Sequence, residues 1–485
     1  MLISLVIIPL LGALIISMMS ETEPYQASKI RRTALLSTII VFWLSICIWA
    51  TFDSNSSVYA TTVAPSSMTP FGGRLLIGLD GISLYFVLLT TFTMPIAVLS
   101  SWNNIKKNIK FYFILLLVLE SLLISVFIVL DLLLFYIFFE SVLIPLFLIT
   151  GIWGATAARI RASFLLFLYT LFGSLFMLLA FISIAYHVGS TDLIVITLAD
   201  ISFDSQKILW AAIFLSFAIK TPLVPFHIWL PRAHVEANVA TSMILAGLVL
   251  KLAVYGMVRI LIPILPEATA YFSPLVQTIA TVTVIYSSLT TIRQSDFKCL
   301  VAYSSVAHMG IVVLGIFSNT VVGIEGALLL SIAHGFVSPA LFYLVGGVLY
   351  DRFHTRVIRY YRGMTLYMPL FSLMFFLFIL GNMGTPLTLN WVGEFMSLAG
   401  AYQLSPLITG LASLSIVLSA IYSIWLYNRI AFGSYSPYMS YTIDLKRREF
   451  MILLPFLISL FVFGFYPTII LNDLHYVVST LLYNI

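Results

Sequence analysis

Runs of roughly twenty apolar residues return along this chain from its first residues almost to its last, separated by short polar connections. A hydrocarbon layer about 30 Å thick is crossed by about 20 residues of helix rising about 1.5 Å each, so the pattern dictates an all-α, polytopic membrane protein. Composition agrees, since 61% of the 485 residues are hydrophobic and only 9% are charged, with a mean hydropathy of +1.08. A soluble domain carries about a quarter of its residues as Asp, Glu, Lys and Arg, so an ordinary soluble protein is excluded.

About fourteen segments qualify, near 2–18, 33–51, 81–101, 111–129, 132–150, 162–186, 208–229, 238–258, 271–291, 300–317, 320–349, 366–400, 405–428 and 450–470. The first begins beside Met1 with no charged leader and no small-residue cleavage site, so it is expected to be a retained helix. The chain is then one transmembrane domain, 1–485. Residues 1–110 hold three helices and a loop, 111–260 and 261–431 hold the central spans, and 432–485 hold a loop and a C-terminal helix.

With fourteen spans the connections alternate sides, and charges that played no part in drawing the segments test the division. One set holds nineteen basic residues, from Lys29, Arg31 and Arg32 through Lys106, Lys107 and Lys110 to Arg352, Arg356, Arg359, Arg362 and Lys446. The other holds three, Arg74, Lys207 and Arg259, among acidic neighbours such as Asp53, Asp131, Asp192 and Asp204. The positive-inside rule then puts both termini on the outer side. The net charge of +5 is topological, and nucleic acid is not an expected partner.

Two lysines remain inside spans, Lys220 and Lys251, each about a dozen residues into its helix. With them lie Glu120, Glu140, Glu394, His308 and His334. A charge at the bilayer centre costs about 2.5 to 3.5 kcal/mol on insertion scales, so such groups face partners or water and mark a polar path. Glu140 and Lys220 are read as a functional pair, against a static bridge between helices. Glu120 is either a second relay member or a structural partner, and for the two histidines an interhelical hydrogen bond competes with proton transfer.

Proline placement adds an independent signal. Pro222 and Pro225 follow Lys220 inside the seventh segment, and Pro386 precedes Glu394 inside the twelfth, so both helices are expected to break there. The triplets Thr221-Pro222-Leu223 and Thr385-Pro386-Leu387 echo one another five helices apart. Two five-helix repeats follow, the fourth to eighth and the ninth to thirteenth, inverted because five is odd. Broken helices at matching places in inverted repeats point to an ion path at the midplane. Protons suit this residue set best, because burial and opposite charge push the pKa values of Lys and Glu in contrary directions, and a pair whose separation changes binds and releases a proton. A sodium site built on backbone carbonyls is the alternative.

Cys47 and Cys299 are too few for a disulfide framework, a cysteine zinc site or an iron–sulfur cluster. Paired haem ligands and phosphate-binding glycine loops are absent from the sequence as well, so no cofactor and no metal is expected in this chain.

The stretches Phe135-Tyr136-Ile137-Phe138-Phe139-Glu140, Lys220-Thr221-Pro222-Leu223-Val224-Pro225-Phe226-His227-Ile228-Trp229-Leu230-Pro231-Arg232-Ala233-His234-Val235-Glu236-Ala237 and Ala302-Tyr303-Ser304-Ser305-Val306-Ala307-His308-Met309-Gly310 strongly resemble the antiporter-like subunits of respiratory NADH:ubiquinone oxidoreductase. The likeness covers essentially the whole chain, and the acidic Glu394, where sister subunits usually carry Lys, points to one branch of the group. The resemblance implies a proton-translocating module with Glu140 and Lys220 as coupling pair, Lys251 and His308 as central relay, His334 on the same axis and Glu394 as exit. His227 and His234 are accessory candidates, with Glu120. NADH, ubiquinone, flavin and iron–sulfur clusters are then expected in partner subunits, and sister antiporter-like subunits and lipid as neighbours. Arg232, Asn238 and Thr241 depart from residues the family often has there, Lys, Pro and Gly. The competing reading is the large subunit of a multi-subunit Na⁺/H⁺ antiporter, and a third is a structural spacer. The mitochondrial inner membrane is the expected location, with both termini in the intermembrane space and a bacterial or thylakoid membrane as the alternative.

Overall fold

The structure, a computed structural model, describes residues 1–21, 24–53, 76–434, 436–439 and 443–483. Among these the regular elements are helices, joined by three isolated backbone bridges. Eleven helices among the described residues are long and apolar enough to cross a membrane, and Leu2–Met18, Pro369–Met383 and Thr468–Leu482 are shorter apolar ones. The chain is an all-α, multi-span membrane protein. Its exposed large apolar side chains, Trp43, Phe172, Leu179 and Val417 among them, are placed to meet lipid.

Helix starts are written in side chains. Asp80 and Ser83 form a reciprocal cap on Gly81–Ser100, Asp131 caps Leu132–Ser141, Asp296 caps Phe297–Ile316 and Thr320 caps Val321–Phe342. Each cap satisfies a backbone N–H that would otherwise lack a partner, typically worth about 1 kcal/mol.

Both expected breaks are present. The Phe203–Lys220 helix ends at Lys220, and the chain passes Pro222 and Pro225 before a short 3₁₀ turn, Phe226–Ile228, and the helix Trp229–Glu236. Pro369–Met383 stops at Gly384, which adopts φ +69°, and Leu389–Leu404 begins after Pro386.

The chain forms two compact units. The first holds 1–221, 248–272 and 472–485, and the second holds 222–247 and 273–471. The seventh segment is therefore shared, its helical half in the first unit and its prolines in the second.

Several expectations need correction. The 132–150 segment is one span that runs on to Trp153, its helical hydrogen bonding interrupted at Val142. The 450–470 segment ends at Phe465, and a second helix, Thr468–Tyr483, follows Pro467. In the first unit that helix presents Asp473, whose carboxylate accepts a 2.6 Å hydrogen bond from Tyr85 Oη. Arg259 is not a loop residue, because the eighth span continues to Ile264 and Asp80 neutralises the guanidinium at 3.0 Å. Lys298 and Asp131, also assigned to connections, are buried at helix starts. Arg74 and most of the 52–80 connection lie outside the described residues.

Candidate functional site

In the first unit, Lys220 is the last residue of its helix and almost wholly buried. Pro222 and Pro225 bring no N–H to extend the helix, and a cation at a helix C-terminus meets the negative end of the dipole. Its Nζ donates to the Phe139 carbonyl at 3.0 Å and lies 3.2 Å from the centroid of the Phe139 ring. Phe139 thus holds the ammonium from both backbone and ring, a cation–π contact of up to about 2 kcal/mol when desolvated.

Glu140 follows Phe139 on the same helix. Its carboxylate is close enough to interact electrostatically with Lys220, and Ser174 is its other polar neighbour. Among the described residues the two do not form an ion pair within 4.0 Å, the Phe139 contacts taking its place. The sequence pairing is thus a proximity of opposite charges.

Lys251 is fully buried in the Leu250–Gly256 turn. Wide π turns bound it on both sides, Leu245–Val249 and Met257–Leu261. Such turns break the regular hydrogen-bond ladder and recur at functional sites. Glu120, in Ile109–Ile128, is fully buried with no hydrogen-bond partner for either carboxylate oxygen among the described residues.

The second unit gathers the remaining groups. His308 Nδ1 lies 3.0 Å from Glu394 Oε1, both side chains nearly inaccessible. The His308 and His334 rings are 5.7 Å apart between centroids. The His308–Glu394 contact is within ion-pair distance, without the alignment of a hydrogen bond. The break places Glu394. Gly384 sits so close that a Cβ there would stand 2.5 Å from Glu394 Oε2, so a residue without a side chain at φ +69° makes room for the carboxylate.

His227 lies in the 3₁₀ turn beside the rings of Tyr286 and Tyr303, at 5.5 and 6.1 Å. His234 is fully buried and stacked on Phe342 at 4.4 Å. Val224 N–H, freed between the two prolines, donates to Thr283 Oγ1 at 3.0 Å. No group of three or more His, Cys, Asp or Glu able to hold a metal occurs among the described residues.

Sequence reasoning missed four groups. Asp80 and Arg259 form a buried pair in the first unit, hidden because both stand at the ends of apolar runs. In the second unit Lys298 donates to the Ala237 carbonyl at 2.8 Å, with Gly346 leaving room for its stem. Tyr422, fully buried and within electrostatic reach of Glu394, carries no charge to stand out against an apolar helix.

Broken helices, buried lysines and a histidine–carboxylate contact define a class, the antiporter-like membrane subunits. Residues 129–421 match the family model described as NADH:quinone oxidoreductase/Mrp antiporter, TM. The NADH-ubiquinone oxidoreductase chain 4 of Mycosarcoma maydis is 63% identical over 484 residues, covering 100% of both chains, and that of Marchantia polymorpha is 47% identical over 98% of this chain and 96% of its own. A chain of the respiratory complex I from Thermus thermophilus with bound NADH superposes with a TM-score of 0.90 at 29% identity, covering 100% of this chain and 99% of that one. The chain belongs to the NADH:quinone oxidoreductase/Mrp antiporter membrane family, and both of these chain 4 relatives carry the name that the acidic Glu394 anticipates.

Proposed function

We propose that this chain is a proton-translocating, antiporter-like membrane subunit of an NADH:ubiquinone oxidoreductase in the mitochondrial inner membrane, with both termini on the outer side. It works with sister membrane subunits, while NADH, flavin, iron–sulfur clusters and ubiquinone belong to partners. Moving a proton against 100 mV costs about 2.3 kcal/mol, so the energy comes from quinone reduction in those partners.

The observation that carries this reading is the placement of Lys220. A fully desolvated ammonium rests on one carbonyl and one ring, beside a carboxylate it does not bridge. Any event that draws Glu140 nearer holds the proton on Lys220, and any event that draws it away releases it. The order of use proposed is Glu140 with Lys220, then Lys251, then His308 with His334, and last Glu394. Glu120, His227 and His234 are accessory. In the second unit the 3.0 Å approach of His308 Nδ1 to Glu394 Oε1 supports this order.

The test is proton transport per NADH oxidised by the whole complex carrying Glu140→Gln or Lys220→Ala. Reduced transport with the complex assembled supports the reading, and wild-type transport in both variants removes it. Co-migration of the chain with NADH dehydrogenase activity on a native gel separates this reading from a Na⁺/H⁺ antiporter subunit.

A further inference from the structure

Glu394 is the last group that the sequence marks, but polar side chains continue beyond it in the second unit. Ser415, Ser419, Tyr422 and Ser423 all lie on the buried face of the Leu414–Ala431 helix. Steps of three and four residues line them up in one stripe. At about 1.5 Å per residue the stripe runs about 10 Å from Tyr422 to Ser415. It starts within electrostatic reach of Glu394 and leads away from Arg429 and the basic connections, ending at Ser415 inside the Pro406–Ala431 span.

These hydroxyls are not tied down as hydroxyls in membrane helices usually are. A serine there normally donates to the carbonyl three or four residues before it, and Ser419 does so, to Ile416 O at 2.9 Å. Ser415 Oγ, Ser423 Oγ and Tyr422 Oη are buried and have no hydrogen-bond partner among the described residues. The same holds for both polar atoms of the Asn390 amide, fully buried one turn before Glu394 on its helix. Each such group costs about 1–3 kcal/mol unless it is satisfied, so a row of them beside a carboxylate is not a packing solution. Buried polar groups of this kind bind ordered water.

A competing column is closed. Ser397 donates to Gly393 O at 2.7 Å, Ser405 donates to Gln277 Oε1 at 2.5 Å, and Gln277 Nε2 donates to Phe317 O at 2.9 Å. Its groups already have partners.

We propose that Tyr422 receives the proton from Glu394 and passes it along a hydrated stripe past Ser419 to Ser415 and on towards the outer side, with Asn390 orienting the water at the carboxyl. The inference rests on Glu394 as the exit residue of a proton-translocating subunit. The step balances: the Glu394 O–H bond breaks as an O–H bond forms on the phenol oxygen or a bridging water, and the phenol's own hydrogen leaves to the next water. Rotation of the hydroxyl resets the path, and no electron moves.

The experiment uses the whole complex carrying Tyr422→Phe, Glu394→Gln or Ser405→Ala, reconstituted in vesicles. Protons moved per NADH oxidised are read with a pH-sensitive dye, and the infrared carboxyl band that disappears in Glu394→Gln is followed in parallel. Tyr422→Phe is expected to lower the proton ratio as far as Glu394→Gln does and to shift the Glu394 band, while Ser405→Ala leaves both at wild type. A wild-type ratio and an unshifted band in Tyr422→Phe, with the ratio lowered in Glu394→Gln, overturn the outlet and leave the role of Glu394 standing. A wild-type ratio in Glu394→Gln overturns the reading beneath it. Where Tyr422→Phe fails to assemble, Asn390→Leu and Ser415→Ala carry the same readouts, and wild-type values in both overturn the outlet.

Discussion

His308 and Glu394 stand on separate helices of the second unit, with Nδ1 of one 3.0 Å from Oε1 of the other and both side chains withdrawn from the surface. Neither group alone is a comfortable occupant of a membrane interior, and each brings the other a group of opposite charge tendency within ion-pair distance.

Under the proposed relay, that contact would make the two residues one functional element. His308→Gln and Glu394→Gln are each expected to lower proton transport per NADH, and the double variant to be no worse than the more damaging single one. A proton ratio in the double variant well below that of the worse single variant would show that the two act independently.

Lys220 separates charge from titration. Arginine keeps a positive charge in place but does not give up its proton in a protein. Lys220→Arg is therefore expected to leave the complex assembled and its transport as low as in Lys220→Ala. Transport restored by arginine means that Lys220 serves as a fixed charge on Phe139, not as a carrier.

Asp80 and Arg259 are expected to matter for stability. Removing one partner of a buried ion pair costs about 3–5 kcal/mol, because the other charge is left uncompensated. Arg259→Leu should reduce the assembled complex on a native gel, and adding Asp80→Asn, which keeps an acceptor for the helix cap, should recover most of it. No recovery in the double variant contradicts the pairing.

Gly384 tests the second break. A side chain there enters a left-handed conformation at about 1–2 kcal/mol and crowds the Glu394 carboxylate. Gly384→Ala is expected to lower proton transport more than it lowers the amount of complex, and a proportional loss of both would mean the glycine serves folding alone.

The sequence made the membrane architecture plain, because apolar runs and charge asymmetry follow from the thickness and electrostatics of the bilayer rather than from any tertiary detail. Lys220, Lys251 and Glu394 stood out for the same reason, each a charge well inside an apolar run of lipid-crossing length. Arg259 and Lys298 did not, because a charge near the end of an apolar run reads as a loop residue until the helix is seen to extend past it. Tyr422 and Asn390 were invisible in principle: they are uncharged, and only burial without a partner distinguishes them from the many hydroxyls and amides that are satisfied. The Glu140–Lys220 pairing was legible as proximity, but the hold of Phe139 on the ammonium depends on backbone geometry at a helix end that spacing does not encode.

The most direct test of the account is the number of protons moved per NADH oxidised by reconstituted complex carrying Glu140→Gln, measured beside NADH:ubiquinone electron transfer in the presence of an uncoupler. If the opposed charges of Glu140 and Lys220 drive proton uptake and release, the proton ratio falls while uncoupled electron transfer persists. A wild-type ratio in fully assembled complex would contradict the account, since the charge that governs Lys220 would then have been removed without effect.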